Sequence, residues 1–185
     1  DQPRSRGLGD VYKRQALCGT KEEAGRVLAR IRIWAEEHGL ELHPTKTKIV
    51  DMGQPGAEVD FLGYTFKRTG AGKLIRYPRK RSMERVKETI RQHTKRTSGV
   101  SLTTTINRVN RVVRGWFNYF QDSTPNVFPT LDGFVRRRLR AILLKRHRNP
   151  GFGTGWSHQR WPTAYFTEHG LFSTTVARAS AIYPA

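Results

Sequence analysis

Leu102-Thr103-Thr104-Thr105-Ile106-Asn107-Arg108-Val109-Asn110-Arg111-Val112-Val113-Arg114-Gly115-Trp116-Phe117-Asn118-Tyr119-Phe120 decides how this chain is read. Leu102, Ile106, Val109, Val113, Trp116, Phe117 and Phe120 recur at steps of three and four, the spacing of a buried helical stripe. Arg108, Arg111, Arg114 and Asn118 lie mostly off that stripe. The stretch therefore reads as a helix with an apolar back and a cationic front. Thr103-Thr104-Thr105 at its start suits capping and first-turn hydrogen bonding.

The pattern extends to both sides. Upstream, a helix is expected over 82–96, with Met83, Val86 and Ile90 on one face, broken by Thr97-Ser98-Gly99. Downstream, Pro125 and Pro129 bracket a loop. A third helix follows over 130–146, its core face Leu131, Phe134, Val135, Leu139, Ile142 and Leu143. Residues 149–163 read as a Gly/Trp/Pro loop and 165–181 as a short added helix.

Before residue 82 the pattern is mixed. Thr20-Lys21-Glu22-Glu23 is a capping box, with Thr20 on the Glu23 amide and Glu23 reaching back. Ala24, Val27, Leu28, Ile31 and Trp34 make a helix over 21–38, stopped by Gly39. Short strands are expected at 40–42, 46–52 and 59–66, then a Gly70-Ala71-Gly72 turn and a return strand over 73–77. The expected class is α+β: a helix, strands and hairpin, followed by a basic three-helix unit.

Charge divides the chain in the same place. Residues 1–66 hold 10 Lys and Arg against 10 Asp and Glu; residues 67–148 hold 22 against 4, a net +18 of the chain's +19. A folded segment so lopsided repels itself unless a polyanion lies against it. No apolar run is long enough for a membrane span. A membrane-surface role is disfavoured because the cations are spread over three helices instead of one amphipathic stripe. The single cysteine, Cys18, suits a reducing interior and excludes a cysteine zinc finger. The six histidines lack metal-ligand spacing, and no Ser/His/Asp or phosphate-loop arrangement occurs.

Gly39-Leu40-Glu41-Leu42-His43-Pro44-Thr45-Lys46-Thr47, with Phe61-Leu62-Gly63-Tyr64, resembles the end of a reverse transcriptase palm, specifically that of group II intron reverse transcriptase/maturases. Val113-Arg114-Gly115-Trp116-Phe117-Asn118-Tyr119-Phe120 resembles the signature of that family's maturase-specific domain, or thumb. Arg160-Trp161-Pro162-Thr163-Ala164-Tyr165-Phe166 through Gly170-Leu171-Phe172 is similar to the ending of bacterial members. The resemblance implies a palm edge over 16–80 and a thumb over 81–181, in a protein of the bacterial cytoplasm. Residues 1–15 resemble a non-native prefix of truncated reading frames and are expected to lie outside the fold.

The resemblance also assigns roles. Lys46 matches a lysine that lies near the incoming nucleotide's phosphates, where an ammonium offsets charge on the leaving pyrophosphate. From spacing alone it reads as a solvated turn residue. Phe61, Leu62, Gly63 and Tyr64 match the primer grip, Gly63 letting a nucleic-acid backbone approach a strand. The family's catalytic Asp-Asp pair would fall at Tyr12 and Lys13, with Asp10 at the motif's tyrosine. Two-metal polymerisation needs such carboxylates. Mg2+ is therefore expected of the full-length polymerase, and no cofactor or metal ligand of this chain, which is not expected to polymerise alone.

RNA-binding candidates are Arg76, Arg79, Lys80, Arg81 and Arg85 before and within the first helix of the basic unit; Arg108, Arg111, Arg114 and Tyr119 on the second; and Arg136, Arg137, Arg138 and Arg140 on the third. Guanidinium groups on helical faces clamp phosphates. Trp116, Phe117 and Phe120 continue the core stripe, leaving Tyr119 as the exposed aromatic. Trp156, Trp161 and Phe166 are expected to wrap back over the helices. The expected partners are group II intron RNA and a primer–template. Structured RNA is preferred to DNA on the resemblance, since charge does not separate them. The alternative is a standalone, non-enzymatic basic helical protein that binds RNA or DNA.

Overall fold

A computed structural model describes residues 15–147 and 155–182. The expected prefix, apart from Gln15, lies outside the described residues, as do Asp10, Tyr12 and Lys13. Gln15 itself is tied to the fold: its side-chain amide donates to the Asp60 carbonyl at 2.8 Å. The architecture is α+β, with a three-stranded sheet and helices. The chain divides into two units, residues 1–75 and 76–185.

In the first unit, α1 (Lys21–Glu37) opens on the expected cap. Thr20 Oγ1 accepts from the Glu23 amide at 3.1 Å, and Glu23 reaches back to the Gly19 amide at 2.8 Å. Gly39 ends the helix in the left-handed region, φ 64°, a conformation a side chain disfavours. Only Ala35 of α1 is buried, and Trp34 is 54 % exposed.

The strands expected at 40–42 and 46–52 do not form; both segments are irregular. A strand exists through its ladder, and neither segment pairs with a neighbour among the described residues. His43–Thr47 is a turn, with the Lys46 and Thr47 amides donating to the His43 carbonyl. Arg68 holds residue 52 instead, its Nε donating to the Met52 carbonyl at 2.6 Å.

The strand expected over 59–66 is two strands. β1 (Glu58–Phe61) and β2 (Tyr64–Arg68) pair antiparallel, with Glu58 opposite Lys67 and Phe61 opposite Tyr64. The turn is Leu62-Gly63, at φ 47° and 78°. Positive φ at both central residues is the hairpin turn whose twist matches the flanking strands. Gly63 therefore sits in a turn and not within a strand. Thr65 Oγ1 donates across the ladder to Asp60 Oδ1 at 2.5 Å. β3 (Leu74–Pro78) completes the order β1-β2-β3.

The second unit is helical. α2 (Lys80–His93) starts two residues before the expected position and ends three before it. α3 (Leu102–Phe120) has the expected bounds, capped by Ser101 on the Thr104 amide at 3.1 Å. α4 (Val127–Arg146) begins before Pro129, which occupies the first turn, where its missing N–H costs no helical hydrogen bond. Ile90, Ile106, Val109, Leu131, Leu139 and Ile142 are fully buried between these helices, so the apolar stripes face inward as their spacing requires.

The tail is more helical than expected: α5 (Gly155–Arg160), α6 (Thr163–Glu168) and α7 (Thr174–Ile182). Trp161 and Phe166 are buried, whereas Trp156 stays half exposed. Three polar side chains anchor this tail. Asn110 of α3 donates to the Gly170 carbonyl and accepts from the Phe172 amide, at 2.7 and 2.9 Å. Arg140 of α4 donates to the Trp161 carbonyl at 2.9 Å. Asp132 of α4 takes the Thr174 and Thr175 amides at the start of α7, at 3.0 and 3.1 Å. No helix among the described residues is long and apolar enough to cross a membrane.

Candidate nucleic-acid interface

The cations of the second unit separate into those that face solvent and those that hold the fold. α3 presents the clearest exposed set. Its buried stripe leaves Arg108, Arg111 and Arg114 exposed on the opposite side. Among the described residues no hydrogen bond or ion pair ties Arg108 or Arg111, while the Arg114 guanidinium lies 4.3 Å from the centre of the Phe172 ring. Tyr119 shares this side and is 54 % exposed; Trp116, Phe117 and Phe120 are buried.

On α2, Lys80, Arg81 and Arg85 are exposed and Arg79, at the helix start, is half-buried. Arg76 precedes them and is held in place. Its Nε donates to the Asp122 carbonyl at 2.7 Å, and its guanidinium pairs with the Asp122 carboxylate at 3.3 Å.

Two of the expected phosphate contacts on α4 turn inward. Arg138 donates to Thr94 through Nε (3.1 Å, to the hydroxyl) and a terminal nitrogen (2.8 Å, to the carbonyl), closing the end of α2 against α4. Arg140 is only 6 % exposed and lies over the Phe166 ring at 5.3 Å. Burial lowers both guanidinium pKa values below the ordinary arginine value, with Arg91 and Arg96 adding repulsion at Arg138 and Arg136 at Arg140. Helical position alone suggests four outward arginines; the partner element and the tail claim two. Arg137 is exposed and Arg136 half-buried.

The fold also assembles a group that no single helix shows. Lys87 and Arg91 of α2 and Arg137 of α4 surround the half-buried Phe134 ring at 6.0, 5.4 and 6.0 Å. Phe134 reads as a core position in sequence, and its cationic cover becomes visible only once α2 packs on α4. Asn110 and Asp132 likewise carry no sequence signal as anchors, because their partners lie 40 or more positions away.

The electrostatic balance sharpens this picture. Residues 67–148 contain four acids, and each is engaged within the fold. Glu84 pairs with Lys87 and Glu88 with Arg91 along α2. Asp122 holds Arg76, and Asp132 caps α7. None is left to neutralise the exposed arginines of α3.

In the first unit, Lys46 is exposed in its turn. Phe61, Gly63 and Tyr64 are half-buried about the hairpin and Leu62 is exposed at its tip. Among the described residues no group of three His, Cys, Asp or Glu is placed to hold a metal ion.

The fold and its charge define an α+β chain whose helical part is a basic unit with an exposed arginine face. That part is maturase-related: residues 83–164 match the family model described as "Group II intron, maturase-specific domain". The match runs from α2 through the start of α6 and takes in the α3 arginines, the Phe134 cluster and the Arg140 anchor. A comparison with curated proteins finds no match to this chain.

Proposed function

We propose that the helical unit binds group II intron RNA and thereby assists its splicing. One observation carries this reading. On a maturase-related segment, the exposed α3 arginines stand without a neutralising acid, because all four acids of residues 67–148 are committed elsewhere. Phosphates supply that missing charge. Guanidinium groups bind them with directional hydrogen bonds, and Tyr119 offers a ring on which an unpaired base can stack.

The first unit supports a wider reading, as the edge of a reverse transcriptase palm. Its hairpin places Phe61-Leu62-Gly63-Tyr64 at a tight turn with an apolar tip, a shape suited to lying against a primer strand. Trp34 and Ile33 of α1 are exposed, as on a helix that packs against further structure. In a full-length protein with its catalytic carboxylates and Mg2+, the same basic surface would hold a primer–template, and Lys46 would lie near nucleotide phosphates during the DNA synthesis of retrohoming.

Filter binding of a transcribed group II intron RNA to the whole chain tests the core proposal. Arg108→Glu with Arg111→Glu should weaken binding at least tenfold while the melting temperature stays within a few degrees of the parent's. Undiminished binding by that variant would remove the α3 face from the RNA site.

A further inference from the structure

Gly115 lies in the middle of α3, a position where glycine weakens a helix relative to alanine. The fold supplies no reason for it. Gly115 is absent from the glycines with positive φ, unlike Gly39 or Gly63. It is exposed, and a Cβ built there would meet nothing within 4 Å. Neither backbone geometry nor internal packing requires the missing methyl group.

Its neighbours on the helix surface indicate what does. Residues three and four apart are surface neighbours. Arg111 lies one turn before Gly115, and Arg108 one further turn back. Asn118 and Tyr119 lie one turn after it. All are exposed, so the ridge is two cations, a gap, then an amide and an aromatic ring. An unpaired nucleotide has the matching order of groups: a phosphate, a ribose and a flat base.

We propose that Gly115 is a close-approach point for an unpaired nucleotide of bound RNA. The ribose seats on bare helix backbone at Gly115, the flanking phosphate lies on Arg111 and Arg108, and the base stacks on Tyr119. A methyl group here would hold the sugar off the helix and pull phosphate and base away from their partners together. This rests on the RNA-binding reading above and adds to it the residue that sets the approach distance.

The test exploits opposite signs. The probe is a fluorescein-labelled RNA hairpin with a single-stranded loop, titrated into the whole chain and read by anisotropy. Gly115→Ala should raise the melting temperature by about 2–4 °C, through helix propensity, yet weaken hairpin binding roughly tenfold, about 1.4 kcal/mol. Gly115→Leu, also a good helix former, should weaken it further without unfolding the chain. Gly25→Ala is the control. It makes the same change at an exposed α1 glycine with equally open surroundings, and should leave binding as it was. If Gly115→Ala and Gly115→Leu bind like the parent while Arg108→Ala/Arg111→Ala loses affinity, the face binds RNA and the close approach is wrong. If the arginine variant also binds fully, the RNA reading of α3 fails, and the proposal with it.

Discussion

Asp132 and Thr174 lie 42 positions apart and are joined twice: Asp132 Oδ1 accepts the Thr174 amide at 3.0 Å and its hydroxyl at 2.7 Å. The other carboxylate oxygen takes the Ser173 hydroxyl at 2.8 Å and the amide and hydroxyl of Thr175 at 3.1 and 2.8 Å. A side chain of α4 thus caps α7, doing across the fold what a local N-cap does within a helix. Burial pushes this carboxyl's pKa up, but the hydrogen bonds from Thr174, Ser173 and Thr175 outweigh it and hold the group below its ordinary 3.8.

Asp132→Asn should therefore detach the tail. The amide keeps one acceptor oxygen and turns an NH2 toward donors, leaving hydroxyl and amide groups unsatisfied. A loss of roughly 1–3 kcal/mol is expected, read by denaturant midpoint, with faster hydrogen exchange in α7.

The same carboxylate makes stability depend on acid pH. Its folded-state pKa is depressed, so its contribution is fully present above the ordinary value of 3.8 and is lost as pH falls through the folded-state pKa. Melting temperature should drop below about pH 4 in the parent, and more shallowly in Asp132→Asn.

The inward and outward arginines should give opposite phenotypes. Arg140→Ala strands the Trp161 carbonyl and empties space beside Phe166, so about 2–3 kcal/mol of stability should go. Arg111→Ala should leave the melting curve nearly unchanged and weaken RNA binding. Thermal melts and RNA titrations on both variants check this separation.

Salt should report how many phosphates are contacted. Logarithmic affinity for RNA should fall linearly with logarithmic salt, and contacts to ~6–10 phosphates would remove several decades over a modest rise. Arg108→Ala should reduce the slope by about one contact's worth, whereas Arg138→Ala, whose guanidinium holds Thr94, should not change it.

Leu62 carries the one positive φ at a non-glycine among the described residues, 47°. Leucine is strained there, and asparagine before glycine is the favoured pair for this turn. Leu62→Asn should stabilise the hairpin by about 0.5–1 kcal/mol, measured by hydrogen exchange of the β1 and β2 amides.

Local signals in the sequence determined α1, α3 and the sign of the surface. The Leu102 to Phe120 stripe set the bounds of α3, Thr20 and Gly39 set the limits of α1, and the clustering of 22 cations against 4 acids marked the charged segment, because spacing, caps and charge act within a few residues of chain. Segments that needed a distant partner were not legible in this way. Residues 40–42 and 46–52 have strand-like patterns but no ladder, and Leu62-Gly63 turned an expected strand into a hairpin. Only tertiary structure decided which arginines face water: Arg138 and Arg140 share a helix with Arg137, and what differs is the Thr94 and Trp161 carbonyls that packing brings within reach. A buried carbonyl claims a donor by proximity in space, and sequence position carries no record of that.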